Sequence, residues 1–209
     1  MQDLVVSYDP NVGKTGAAVS ELICGTAFFP GGSGLWRGST SFGSSFGALP
    51  RLFPDAPVMF VGHNFDSISA YEKSARNGGE AQSFFWRILL DYLSRAGIDP
   101  ERCFFTNALM GLKPGSAVGT MPGGAGYHDE CRRFLKRQIE LVQPSLIVAL
   151  GQKARSRVTA VRPGVPVIAL LHPSARELKP LATRDEFISR QAAVLAQEYA
   201  SVSPYTRTC

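Results

Sequence analysis

Two histidines and two asparagines stand directly after short apolar runs of the sequence. His63 and Asn64 follow VMFVG, Asn107 follows CFFT, and His172 follows VIALL. Imidazole exchanges protons near neutral pH, and a side-chain amide offers one hydrogen-bond donor and one acceptor. Each residue alone also suits an ordinary turn, but four such groups in equivalent positions indicate a functional site.

The apolar runs that precede these residues are typical of strands in a parallel sheet. They are VMFV at 58–61, CFFT at 103–106, LIVAL at 146–150 and VIALL at 167–171. None alternates with polar residues, as expected of strands covered on both faces, and the intervening lengths suit crossover helices. We predict a three-layer α/β/α sandwich with a central four-stranded parallel sheet. Because ligands bind beyond the carboxyl ends of such strands, the polar residues should share one rim.

Helix signals lie between the runs. One helix should begin near Ser83 and end before Gly97, and a second should start around Asp129. The last helix should open with the capping box Thr183 to Glu186. The second helix exposes four basic residues, which we interpret as a solvated face more readily than as a phosphate contact. They are Arg132, Arg133, Lys136 and Arg137.

Composition limits the class of protein. The 209 residues carry a net charge of +5, which permits a polyanionic partner without requiring one. No apolar run reaches eighteen residues, so we expect a soluble, cytoplasmic protein without membrane contact, and a monomer. The four cysteines form no C-x-x-C pair and indicate neither a zinc site nor a disulfide scaffold. We divide the chain into a Gly/Ser-rich ordered extension at 1–56, packed on a domain at 57–209.

Four motifs resemble, in sequence order, the uracil-DNA glycosylase superfamily. They are VGHN, FFTN, CRRFLKRQIELVQPSLIVALG and HPSA, within about residues 57–175. The third and fourth are most similar to the bacterial iron-sulfur branch, whereas GHN and SFFWRILLDYLSRAGI resemble the mismatch-specific and thymine-DNA glycosylase branch. The iron-sulfur branch uses four cysteine ligands, and in this chain only Cys131 matches one of those positions. We therefore predict no cluster, no metal and no other cofactor.

The resemblance implies the fold of these glycosylases and a monofunctional DNA glycosylase. Such an enzyme removes uracil or a related deaminated base flipped out of DNA and leaves an abasic site, the first step of base excision repair. Phe65 and Asp66 replace the family's usual Pro-Gly or Pro-Tyr, which leaves the substrate open. A glycosylase for another modified base, for example in defence against foreign DNA, is one alternative. A nucleic-acid-binding module that lost catalysis is the other.

The same resemblance implies roles at the base. His172 would donate a hydrogen bond toward O2 of the departing base, helped by backbone amides around Gly62 and His63. Asn107 would read the Watson–Crick edge of the base. Phe65 would stack on its face.

Further roles concern water and the DNA strand. Asn64 would hold the attacking water, with Asp66 as the alternative base or electrostatic stabiliser, and we favour Asn64. In the HPSARELKP loop, Ser174 and its backbone amide would bind phosphate, while Arg176 or Leu178 would enter the base stack.

Overall fold

A computed structural model gives the fold of the protein. It describes residues 58–64, 69, 84–100, 103–109, 125–178 and 180–202. The extension at 1–56, the site residues Phe65 and Asp66, and the loop at 110–124 lie outside the described residues.

The four predicted strands form one parallel sheet. They are β1 (Val58–Asn64), β2 (Cys103–Leu109), β3 (Leu146–Leu150) and β4 (Val167–Leu170). Their order is β2-β1-β3-β4, with parallel pairing throughout. The chain moves from β1 to β2 on one side and then crosses back to β3 on the other. The carboxyl ends of β1 and β3 therefore flank the switch point at which open sheets bind ligands.

Helices cover both faces of the sheet in the described residues. They are α1 (Phe84–Arg95), α2 (Ala125–Val142), α3 (Gln152–Ala160) and α4 (Leu181–Val202), with a short 3₁₀ helix at Arg176–Leu178. Residues of α1 and α4 share one buried cluster with Val58 and Phe60 of β1, and residues of α2 and α3 share another with Met59 and Val61. The predicted three-layer α/β/α sandwich is confirmed. None of these helices is long and apolar enough to span a membrane.

Two helix starts differ from the prediction. Helix α2 begins at Ala125, four residues before Asp129, and thereby buries Tyr127. Helix α4 begins at Leu181, and the Arg184 amide donates to the Pro180 carbonyl at 3.1 Å. Thr183 therefore lies inside the first turn, and the predicted capping box is wrong.

Candidate active site

The Asn107 side chain lies directly over the backbone of Gly62. The two residues are register partners on β2 and β1. A Cβ atom at position 62 would stand 2.0 Å from Asn107 Oδ1, so this placement requires glycine. The preceding residue, Thr106, donates its buried hydroxyl to Gln138 Oε1 of α2 at 3.0 Å. This bond fixes β2 where the amide leaves the sheet.

The backbone around His172 is held from three directions. The Gly151 amide donates to the Leu170 carbonyl at 2.8 Å, and the Ala175 amide donates to the His172 carbonyl at 2.7 Å. From α4, Gln191 Oε1 accepts the Leu171 amide at 2.7 Å. The loop that presents the imidazole is therefore anchored to β3 and to a helix as well as to itself.

The geometry determines which nitrogen of His172 carries its proton. The Ser174 amide donates to His172 Nδ1 at 3.1 Å, so Nδ1 is the acceptor of the neutral ring. Burial, and then the nearby His63, lower the pKa of His172. The ring is therefore neutral near pH 7 with its proton on Nε2. The Ser174 amide, which the sequence analysis assigned to phosphate, is engaged by the imidazole instead.

An aromatic series supports the same imidazole. The Phe85 ring lies 5.3 Å from the His172 ring, with 47° between their planes. Phe85 contacts Trp86 edge-on at 5.5 Å, and Trp86 contacts Phe105 of β2 at 5.0 Å. The helix that carries Phe85 was predicted from the sequence, but the contact of Phe85 with the site was not. Phe85 lies seven residues before Tyr92 in the same helix, and this spacing does not indicate a contact with His172.

His63 and Asn64 form a pair at the end of β1. The distance between His63 Nδ1 and Asn64 Oδ1 is 2.7 Å, and because a carbonyl oxygen only accepts, Nδ1 is the donor. Burial lowers the pKa of His63, the bond to Asn64 opposes that effect, and the positive charges of Lys153, Arg157 and His128 lower the pKa further. His63 is thus neutral near pH 7, with its proton directed at Asn64.

Strand alternation explains how the three histidines approach one another. Gly62 and Asn64 have the parity of Phe60 and face α1 and α4, whereas His63 has the parity of Val61 and faces α2 and α3. On that side His128, at the start of α2, is near enough to lower the pKa of His63, and the pKa of His128 is itself lowered, first by burial and then by Arg157. Two histidines were predicted on the rim from the sequence, and the approach of His128 was not.

Asn107 and His172 stand at opposite sides of the rim. Asn107 lies near the end of the outer strand β2, inside the strand rather than after it as predicted, and His172 follows the outer strand β4. Three strand spacings separate these strands by roughly 14 Å. Between them lie Gly62 and Gly151, neither of which has a side chain to fill the space. A Cβ at Gly151 would come within 3.4 Å of His172 Cβ, so the imidazole also lies close over glycine. Phe65 and Asp66 lie outside the described residues, and their roles stay predictions.

One of the predictions for the loop after His172 is wrong. Ser174 and Arg176 are exposed, as a DNA contact requires. Leu178 is 0% exposed and packs in the core with Ile188 and Leu195. The prediction that Leu178 can enter the base stack is therefore wrong, and Arg176 is the remaining candidate for that role.

No metal site is visible in the described part of the chain. No group of three or more His, Cys, Asp or Glu residues there could hold an ion. Cys103 and Cys131 are buried and belong to no such group, and Cys24 and Cys209 lie outside the described residues. These residues do not fit an iron-sulfur cluster, and the absence of one stays a prediction.

Fold and rim together define an α/β/α sandwich with polar side chains gathered at the topological switch point. The family model of the uracil DNA glycosylase superfamily matches residues 50–196, well over half of the chain. The protein belongs to the uracil DNA glycosylase superfamily. This family acts on DNA, and membership supports a DNA glycosylase-type function. No curated protein matches the chain significantly.

Proposed function

We propose that the protein is a monofunctional DNA glycosylase that hydrolyses the N-glycosidic bond of uracil or a related deaminated base and leaves an abasic site, as in base excision repair. The observation that carries this proposal is the hydrogen bond from the Ser174 amide to Nδ1 of the buried His172 ring. A buried neutral imidazole whose Nδ1 accepts the Ser174 amide presents Nε2–H as a fixed donor.

The donor acts on the leaving base. As the bond between C1′ and the base breaks, the electron pair stays with the base, and negative charge develops on its O2. His172 Nε2–H stabilises that charge without first losing a proton to solvent. One such donor contributes about 100- to 1000-fold in rate.

Asn107 selects the base. Its amide donates to O4 and accepts from N3–H of uracil, and cytosine reverses that pattern. The register with Gly62 fixes the height of the amide above the sheet. This group specifies the substrate, whereas His172 accelerates the reaction.

Water attacks C1′ from the side opposite the base. His63 Nδ1 donates to Asn64 Oδ1, and we assign Asn64 to hold this water by hydrogen bonding. The water oxygen bonds to C1′ as the bond to the base breaks, and its proton passes to solvent, which balances the charge of the departing base. Asp66 is the alternative residue for this role, and its carboxylate would accept the proton itself. Ser174 would hold a flanking phosphate through its hydroxyl, and Arg176 would enter the base stack.

Two other functions remain as alternatives. The replacement of the family's proline by Phe65 in the first motif favours a base other than uracil, because it alters the residue that would stack on the base. A binding module without catalysis would keep the rim but release no base.

In the test, single- and double-stranded oligonucleotides that contain uracil are incubated with the protein, treated with alkali and analysed on gels. Alkali cleaves the strand wherever a base has been removed. We expect strand cleavage with the wild-type protein and its loss in His172→Ala and Asn64→Ala, while Gln197→Ala, exposed on α4, serves as control. A panel of oligonucleotides that each carry one altered base follows, scored by fragment mass. Release of another base alone would support the first alternative, and binding without release of any base would overturn the glycosylase proposal.

A further inference from the structure

The net positive charge of the chain resides in one segment. Residues 141–176 contain no aspartate or glutamate and five basic residues, which leaves 17 basic and 17 acidic residues elsewhere. This segment comprises β3, α3, β4 and the loop that carries His172. The basic residues are Lys153, Arg155, Arg157, Arg162 and Arg176.

Five basic residues on the other helices form ion pairs within their own helix. Arg133 and Arg137 of α2 pair with Glu130 and Glu140, at 2.5 and 3.3 Å. Pairs of the same kind hold Arg132 of α2, Arg190 of α4 and Arg95 of α1. Among the residues that the structure describes, no ion pair involves a basic residue of α3. The two adjacent helices thus carry similar numbers of cations but differ in uncompensated charge.

Two of the three cations of α3 lie where a helix tolerates them poorly. Gly151 provides no side-chain cap, the first turn has no acidic residue, and Lys153 and Arg155 are the second and fourth residues of the helix, whereas Arg157 lies in the last turn. A helix amino terminus carries partial positive charge and favours Asp or Glu there. Residues that break a local rule without structural compensation are expected at functional positions.

The position of α3 relates this charge to the rim. The helix starts one residue after Gly151, which lies beside His172, so Arg157 is only about 9 Å along the axis from the rim. Lys153 and Arg155 are exposed, and Arg157 is half-buried.

We propose that α3 presents a surface that binds the sugar-phosphate backbone of duplex DNA beside the base site, whatever the base sequence. Lys153 and Arg157 lie one turn apart on one side of the helix, and Arg155 lies on its other side. The choice of DNA as the polyanion rests on the proposed function. The basic face of α2, where three of four cations form ion pairs, does not contribute. This surface supplies affinity for undamaged DNA, whereas the rim supplies the chemistry.

The test compares two double variants that remove the same charge: Lys153→Ala with Arg155→Ala on α3, and Arg133→Ala with Arg137→Ala on α2. Affinity for undamaged duplex DNA is measured by fluorescence anisotropy between about 50 and 200 mM salt. We expect the α3 variant to lower the slope of log affinity against log salt by about 2, so that the loss of affinity over this range shrinks about tenfold. The α2 variant should keep the wild-type slope.

Melting temperature separates binding from folding. Removing cations from the start of α3 should leave the melting temperature unchanged or raise it, because the helix dipole disfavours them. Equal slopes in the two double variants, or weaker binding accompanied by a lower melting temperature in the α3 variant, would overturn the proposal. So would an effect on duplex RNA or anionic vesicles with none on DNA.

Base release is scored separately. In the α3 variant it should show a raised KM with unchanged kcat, and a fall in kcat at an unchanged KM would contradict the surface. If the wild-type protein releases no base, the proposed function fails, while the two slopes still decide whether this surface binds DNA.

Discussion

Replacing Gly62 by alanine tests whether the position of Asn107 above β1 selects the base. The new Cβ would lie 2.0 Å from Asn107 Oδ1, against 3.4 Å for ordinary contact, so the oxygen must retreat by about 1.4 Å. The nearest backbone atom, the Thr106 carbonyl oxygen, is 3.8 Å away and need not move. The amide therefore rotates while the strands keep their register. A displacement of about 1 Å can cost about 100-fold in rate.

We expect Gly62→Ala to lower kcat/KM for base release about 100-fold and to destabilise the fold by only about 1–3 kcal/mol, as for local overpacking. Single-turnover gels and denaturant unfolding measure the two quantities. Asn107→Ala removes the atom that clashes, so adding Gly62→Ala to it should change neither rate nor stability further. Wild-type activity in Gly62→Ala, or rate losses that add in the double variant, would refute this account of base selection.

Three further predictions concern the surroundings of the rim. All three histidines have pKa values lowered first by burial, so below about pH 6.5 the unfolded chain binds more protons than the folded one. The melting temperature should therefore fall between pH 7.5 and 5.5, and a flat profile would contradict the burial of these rings. Gln191→Ala removes the acceptor of the Leu171 amide, which should destabilise the fold by about 1–3 kcal/mol and lower kcat. Gln191→Glu keeps an acceptor and should restore both stability and kcat, and the exposed Gln197→Ala is the control. An unchanged kcat in Gln191→Ala would count against the anchoring role of Gln191. Leu178→Ala should cost about 2–5 kcal/mol in denaturant unfolding, whereas Arg176→Ala should weaken DNA binding with no change in stability. Equal stability of these two variants would contradict the core position of Leu178.

The strands could be predicted from sequence because their burial is continuous. A run of apolar residues covered on both faces needs no tertiary information to be recognised, and β1, β2 and β3 all follow such runs. Helix starts depend on competing local signals. The pattern Thr183 to Glu186 matches a capping box, but Pro180 suits the position before a helix and its carbonyl accepts the Arg184 amide. The early start of α2 depends on the burial of Tyr127. The spacing of apolar residues after Asp129 does not indicate that burial.

The site residues also differ in whether the sequence alone could predict their positions. Asn107 and His172 could be placed on one rim because the carboxyl ends of parallel strands coincide. Phe85 and Gln191 reach His172 and its loop only through the packing of α1 and α4, which no local pattern specifies. The prediction that Leu178 can enter the base stack was wrong for the same reason. An apolar residue in a predicted loop is taken to be exposed until the helix that covers it is known.

The basic surface and the chemistry of the rim are electrostatically linked. Lys153 and Arg157 lower the pKa of His63, and His63 in turn lowers the pKa of His172. The cations that attract phosphate add to burial in keeping these imidazoles neutral, and because burial is the larger cause, the alanine variants of α3 should keep them neutral and leave kcat unchanged. A phosphate bound at α3 would offset part of that charge, so burial, the largest cause of each lowered pKa, must keep the imidazoles neutral once DNA is bound. The same dependence explains why alanine suits the α3 variants better than glutamate, because a carboxylate there would raise the pKa of His63 and disturb binding and chemistry together.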